Sequence, residues 1–291
     1  MKKLLFILLF AICASACFAQ RFTVATYNLR NDSPTNDDSV RGNGWKQRLP
    51  VVAKLIQFHD FDIFGTQEGL VHQLHDLTKA MPGYNYTGIG RDDGKTAGEF
   101  SAIFYKTNKF KLLKHGDFWL STITNRPNKG WDAALPRICS WASFREIKTG
   151  YKFYYFNLHM DHIGVVARRE SAKLVLQKIK QMTANQPVIL SGDFNVDETS
   201  DSYAIINTSG KLKDAYELSP IKYAGTGTFN AFDAENKSKG RIDHIFLSKD
   251  FSVKRYGILT DTYRALNQQT NKYETKLPSD HFPVMIMVDH K

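Results

Sequence analysis

The stretch "PVILSGDFN", Pro187 to Asn195, decides the fold. Val188, Ile189 and Leu190 follow one another without polar alternation, so a strand here is covered on both faces. It ends where Asp193 and Asn195 return the chain to polar side chains. Such a strand needs one packed layer above it and another below.

The rest of the chain supplies material for those layers. "RFTVATYNL" reads as a strand ending at Asn28, and "FDIFGTQEG" as one ending at Glu68. "WKQRLPVVAKLIQFH" between them has Leu49, Val52, Leu55, Ile56 and His59 at helical spacing, and "LVHQLHDLTKAM" follows as a second helix. "SAIFYK", "FKLLKHGDFWL", "RICSWASFREI" and "YKFYYFNLHM" read as consecutive antiparallel strands, separated by turn-rich stretches. "ARRESAKLVLQKIKQM" is an amphipathic helix with Ala172, Val175, Leu176 and Ile179 on one side. "RIDHIFLS", "SVKRYGILT" and "PVMIMVDH" add late strands. No Pro-, Gly- or Ser-rich linker divides the chain, so the expectation is one α/β domain over residues 20–291, with two β-sheets packed face to face and helices outside.

The first residues, "MKKLLFILLFAICASACFAQ", join Lys2 and Lys3 to an apolar run and then to small residues, the layout of a secretory signal. Cleavage after Ala19 predicts an exported protein, periplasmic or extracellular, whose one remaining cysteine is Cys139. Cleavage after Ala16 would instead leave Cys17 to carry a lipid anchor, but "ASA" lacks the Leu that usually leads such a site. Removing Lys2 and Lys3 leaves 37 basic against 29 acidic residues, a net charge of +8. That balance suits anionic partners, although no basic run is long enough to form a nucleic-acid arm.

Asn28, Glu68, His159, Asp193 with Asn195, Asp243, and Asp280 with His281 all fall at or beside strand ends. Strand ends sharing one edge bring distant residues into one cleft. "HMDH" tempts a zinc reading, but that signature wants another His two positions before His159, where Asn157 stands. The remaining set is mostly oxygen donors. Glu68 and Asp280 with Asn28 match what Mg²⁺ or Mn²⁺ accepts, with waters and a substrate phosphate completing the shell.

In order along the chain, "TYNLR", "GTQEG", "NLHMDHIG", "SGDFNVDE", "RIDHIF" and "SDHFPV" make the sequence resemble the endonuclease/exonuclease/phosphatase superfamily, which includes DNase I-like nucleases, neutral sphingomyelinases and inositol polyphosphate 5-phosphatases. The motifs run from Thr26 to Val284. The resemblance implies a four-layer α/β/β/α sandwich and hydrolysis of a phosphoester by a metal-activated water. It implies Glu68 as principal metal ligand, supported by Asn28 and Asp280, and Asp193 as the carboxylate that orients or deprotonates the water. Asn195 would hold the phosphate or that water, and His281, oriented by Asp243, would contact the phosphate. His159 would donate to the transition-state oxygens.

Arg137 in "LPRICSW" reads as a phosphate clamp, since a guanidinium binds phosphate bidentately. Asp161 and His162 read equally as substrate contacts or as a cap on the following helix. Trp131, in the polar stretch Ser121 to Arg137, either stacks on a base or sugar or pins its loop. His244 falls on the opposite face of its strand from Asp243 and is left out of the site. The expected substrate is a phosphodiester in nucleic acid, a nucleotide or a phospholipid head group. A phosphomonoesterase or lipid phosphodiesterase is the alternative, and a non-catalytic binding module is the alternative of another class. No stable protein partner is expected, and the chain is read as a monomer.

Overall fold

The computed structural model describes residues 21–290 apart from 36, 268 and 269. The segment read as a secretory signal, with the expected cleavage positions and Cys17, lies outside the described residues. In chain order the strands and helices are β1 (Arg21–Asn28), α1 (Trp45–Phe58), β2 (Ile63–Gln67), α2 (Val71–Ala80), β3 (Tyr84–Thr87), β4 (Ile103–Lys106), β5 (Phe110–Trp119), β6 (Ile138–Glu146), β7 (Lys152–His159) and α3 (Val165–Thr183). They continue with β8 (Val188–Asp193), α4 (Asp201–Asn207), β9 (Lys213–Asp214), α5 (Ala215–Leu218), β10 (Lys222–Tyr223), β11 (Asp243–Leu247), β12 (Phe251–Ile258), β13 (Tyr263–Asn267), β14 (Lys272–Lys276) and β15 (Val284–His290).

The strands form two large mixed sheets. One runs β10-β12-β15-β1-β2-β4-β3, the other β5-β6-β7-β8-β11-β9, and β13 pairs with β14 as a separate hairpin. Side-chain alternation sorts each strand between two cores. In β1, Phe22 and Val24 enter the core between the sheets, with Tyr155, Ile189, Ile245 and Ile286. Ala25 and Tyr27 point the other way, onto Val52, Ile56 and Leu74 of α1 and α2. In β8, Leu190 faces Ala172, Val175 and Ile179 of α3 while Ile189 faces the first sheet. This is the α/β/β/α layering expected from the sequence.

One expectation needs correcting. "SAIFYK" does not continue into the antiparallel run that follows it: β4 pairs with β2 and β3, whereas β5 starts the other sheet. The short turn between Lys106 and Phe110 carries the chain across the sandwich, and β5, β6 and β7 then pair antiparallel as read.

The sheets are joined by buried polar groups as well as by apolar packing. Asn157 of β7 donates through Nδ2 to the carbonyls of Thr66 (2.8 Å) and Ala102 (3.0 Å) in the opposite sheet. Its Oδ1 accepts from Gln67 Nε2 (2.7 Å) and Ser191 Oγ (3.1 Å). Gly65 makes room for it, since a Cβ there would lie 2.2 Å from Asn157 Oδ1. All four bonding positions of the amide are thus used, which is how a polar side chain with no solvent exposure is tolerated. Replacing Asn157 by Ala removes one partner from each of two donors and two acceptors and leaves a cavity, so urea unfolding of Asn157→Ala should show a loss of about 3 kcal/mol with the slope unchanged.

Candidate active site

The parallel pairs β1–β2 and β7–β8 end on one edge of the sandwich, with Asn28 opposite Gln67 and His159 opposite Asp193. β11 runs antiparallel to β8, so it begins at that edge, and Asp243 stands opposite Asp193. Asp280 and His281 lie just before β15, which is antiparallel to β1. Ser279 Oγ fixes that turn by donating to the Asn28 carbonyl (2.7 Å), and the buried Arg48 ties it further through the carbonyls of Pro278 and Leu29. Sheet topology therefore converts seven distant positions into one cleft of about 400 Å³, which Glu68, Arg137, His159, Asp193, Asn195, Asp280 and His281 all line.

Asp193 is the centre of the hydrogen bonding. Its Oδ1 accepts from the Asn195 backbone N–H (2.9 Å) and its Oδ2 from Asn28 Nδ2 (3.0 Å). Oδ2 also lies 3.7 Å from His281 Nε2 and 3.6 Å from His159 Nε2. Burial and then the adjacent Asp243 push the Asp193 carboxyl up to about 7, against the opposing pull of His281. On the other ring nitrogen, His281 Nδ1 lies 2.9 Å from Asp243 Oδ2. Burial alone would strip its proton, but Asp243, Asp193 and Asp280 outweigh burial and hold His281 as imidazolium well above its ordinary range. Thr228 Oγ1 accepts from the Asp243 backbone N–H (3.1 Å), which fixes the start of β11.

His159 is in the opposite state. Burial, then Arg137, Arg91 and His281, lower it well below its ordinary value, so it is neutral. Asn195 Nδ2 lies 3.0 Å from His159 Nε2 and also donates to the Met160 carbonyl. Nε2 is therefore the acceptor and the ring proton sits on Nδ1. Two identical side chains in one cleft thus carry different charges because their neighbours differ.

Glu68 and Asp280 are the carboxylates in the cleft that could hold a cation. Glu68 takes a left-handed backbone (φ 63°), strained for a side chain of its size, and accepts from Asn28 Nδ2 and from the backbone and side chain of Asn31. Burial acts against its charge, but His281, these hydrogen bonds and Arg30 keep it below its ordinary value. Burial and the Glu68 charge push Asp280 up to about 6, although His281 and Arg30 act the other way. A carboxylate held ionised beside a second one strained toward neutrality is a donor set that a divalent cation fits. Asn28 contributes differently from its expected place among the ligands: its Nδ2 faces the two carboxylates, and its Oδ1 accepts from the Arg30 backbone N–H (3.0 Å). In this arrangement it bridges Glu68 to Asp193. Asp193, Asp243 and His281 also lie close enough to share an ion, but the Asp243–His281 hydrogen bond already occupies one ring nitrogen.

Arg137 is buried in the cleft wall. Its Nε donates to Asp161 Oδ2 (3.3 Å) and Nη2 meets His162 Nδ1 (2.9 Å), which leaves Nη1 with no hydrogen-bond partner among the described residues. Asp161 is a scaffold. It accepts from the backbone N–H groups of Ala134, Leu135, Ile163 and Gly164, so it joins the Ser121–Arg137 loop to the approach of α3, and these bonds hold its carboxyl well below the usual range despite burial. His162 lies exposed at the mouth. His244 points away from the cleft, its Nε2 2.9 Å from the Val196 carbonyl, on the face that alternation assigned it.

Glu99 was missed. It is half-buried against Arg91, with its Oε2 3.7 Å from His159 Nδ1, and desolvation followed by the Glu68 charge raises it to about 7. It sits in a loop after Gly98 (φ 80°) rather than at a strand end, so the pattern that exposed the other residues does not reach it.

The sequence profile of the Endonuclease/Exonuclease/phosphatase family matches residues 25–281. An endonuclease/exonuclease/phosphatase family protein of Bacteroides thetaiotaomicron is 55% identical with a TM-score of 0.90, covering 94% of this chain and 98% of that one. Another structure from that organism, described as a mannosyl-6-phosphatase, is 56% identical with a TM-score of 0.88, covering 92% of this chain and 99% of that one. The human Nocturnin catalytic domain shares the fold at 18% identity and a TM-score of 0.68, covering 93% of this chain and 94% of that one.

Two substitutions test the geometry. Asp243→Asn removes the charge that keeps His281 protonated, so kcat should fall about a hundredfold or more while circular dichroism stays native. Asp161→Asn should release the loop, seen as protease nicking within residues 121–137, and lower kcat/KM about tenfold by freeing Arg137.

Proposed function

This chain belongs to the Endonuclease/Exonuclease/phosphatase family, whose members hydrolyse phosphoesters, and on that premise we propose that it is a phosphomonoesterase that removes a terminal phosphate from a sugar. The observation that carries the reading is the form of the cleft. It holds about 400 Å³, the size of a small-molecule site, and ends in the buried Arg137 with its unpartnered Nη1. Among the described residues Phe229 is the one aromatic carbocycle lining it, which gives little stacking surface for a succession of bases. The likeness to the mannosyl-6-phosphatase, over nearly the full length of both chains, supports a sugar phosphate over the diester that the sequence alone put first.

In this reading Arg137 Nη1 and the His281 imidazolium grip the phosphoryl oxygens, and neutral His159 donates from a ring N–H as charge grows there. Asp193 Oδ2 orients the attacking water and takes its proton, while Asn28 and Asn195 hold the groups around it. Glu68 with Asp280 would hold a divalent cation such as Mg²⁺ or Mn²⁺, which would supply neutralisation of the phosphoryl charge. Export after loss of residues 1–19 is part of the proposal, supported by the Lys2–Ala19 pattern, and it leaves the buried Cys139 as a lone thiol without a disulfide role.

The test is a comparison of initial rates on mannose 6-phosphate, p-nitrophenyl phosphate and bis(p-nitrophenyl) phosphate, with Mg²⁺, with Mn²⁺ and with EDTA. The monoesters should be preferred about tenfold or more, EDTA should abolish turnover, and Arg137→Ala should lower kcat/KM by about a hundredfold. Preference for the diester would overturn the monoesterase reading and leave the hydrolase standing.

A further inference from the structure

Beside the cleft lies a surface that phosphoryl transfer does not use. Trp131, Leu135, Ile163, Val165 and Val166 are all exposed, Ile163 and Val165 to 63%. They belong to two segments that are bound to each other. Asp132 accepts from the backbone N–H groups of Val166 (3.1 Å) and Ala167 (2.6 Å), and Asp161 accepts from Ala134, Leu135, Ile163 and Gly164. Gly164 allows the contact, since a Cβ there would lie 2.6 Å from Asp132 Oδ1.

The construction is unusual for a helix start. Gly164 caps α3 with no side-chain bond, and the first turn presents Val165 and Val166 to water while a carboxylate from another loop satisfies the free N–H groups. Trp131 holds a left-handed backbone (φ 49°), and its indole N–H makes no hydrogen bond among the described residues. Exposed apolar side chains gathered on a rigid frame, with a strained aromatic among them, mark a ligand surface rather than ordinary surface composition. The surface runs into the cleft through Leu135 and His162, which line it.

We propose that this surface binds the carbohydrate chain beyond the phosphorylated sugar, so that the preferred substrate is a phosphorylated oligosaccharide rather than a free sugar phosphate. The proposal rests on the sugar-phosphatase reading. A sugar ring has an apolar C–H face and a polar rim, and an indole meets both, its ring covering the face and its N–H free for a hydroxyl. Continuity with the cleft assigns this occupant, because a chain whose terminal phosphate reaches Arg137 must leave past Leu135 and His162 or across the opposite wall.

The experiment compares mannose 6-phosphate with a mannotriose carrying a terminal 6-phosphate, and titrates unphosphorylated mannotriose by calorimetry. Wild-type protein should favour the phosphotrisaccharide and bind the unphosphorylated one. Trp131→Ala and, separately, Ile163→Ser should lower the ratio of the two kcat/KM values about fivefold and weaken trisaccharide binding similarly. Equal kcat/KM for the two substrates with no trisaccharide binding would overturn the proposal, as would variants that change both substrates alike. Sedimentation with phosphatidylglycerol vesicles, lost in Trp131→Ala, would give the surface to a membrane and overturn it too. Failure to hydrolyse either phosphosugar, with mannotriose still bound through Trp131, would sink the phosphatase reading alone.

Discussion

The four hydrogen bonds of the Asn157 side chain set the spacing of the two sheets and, through it, the geometry of the cleft. Along β7 the inward positions run Tyr155, Asn157, His159, and along β8 Ile189, Ser191, Asp193. In β1 they run Val24, Thr26, Asn28. Each strand passes from apolar core to a neutral polar layer to the residues of the site in two steps of the side-chain period. The middle layer is closed on itself, since Gln67 reaches both Thr26 and Asn157, and Ser191 reaches Asn157 and Tyr155. Gln67 Oε1 finds no partner among the described residues, but the remaining bonds still tie the strands to one register, whereas an apolar layer tolerates sliding. Residues one step above it inherit that register.

Charge in the cleft follows from the same crowding. Glu68, Glu99, Asp193, Asp243 and Asp280 share a small volume with Arg30, Arg91, Arg137 and two histidines. The groups cannot titrate independently. The carboxylates around His281 make it a cation, while burial and then the arginines near His159 make that ring neutral. Asp193 and Glu99 are each lifted to about 7 by burial and a neighbouring carboxylate. Perturbed groups gathered this densely characterise a reaction site rather than a structural ion-pair network.

Much of this was legible in the residues. Strands covered on both faces, such as Val188–Leu190, show as unbroken apolar runs, and the polar residues at their ends stand out against them. What escaped was material without that contrast. The β13–β14 hairpin is polar and half-exposed along its length, so its alternation carries no apolar signal. "SAIFYK" was read as a strand, but its sheet was set by a turn of three residues rather than by the strand itself. Glu99 is held in place by Arg91 and a loop built on Gly98, contacts of tertiary origin with no sequence period. Asp161 was ambiguous for a related reason: its four backbone donors come from two loops, and only folding brings them together.

Asp161 also shows how the Ser121–Arg137 loop is attached to the sandwich edge. The sandwich edge presents Asn28, His159, Asp193 and Asp243 from strand ends held by the sheet ladders. Arg137 stands where the Ser121–Arg137 loop meets β6, and its guanidinium is aimed by Asp161, from the segment that follows β7. The Asp161 bonds thus fix the guanidinium at the cleft wall independently of the outer part of the loop. In the proposed function the reacting groups stand on the sandwich edge and selectivity falls to a loop clipped on through two carboxylates, Asp132 and Asp161. That division lets one set of reacting groups serve different phosphoesters without rebuilding the core beneath them.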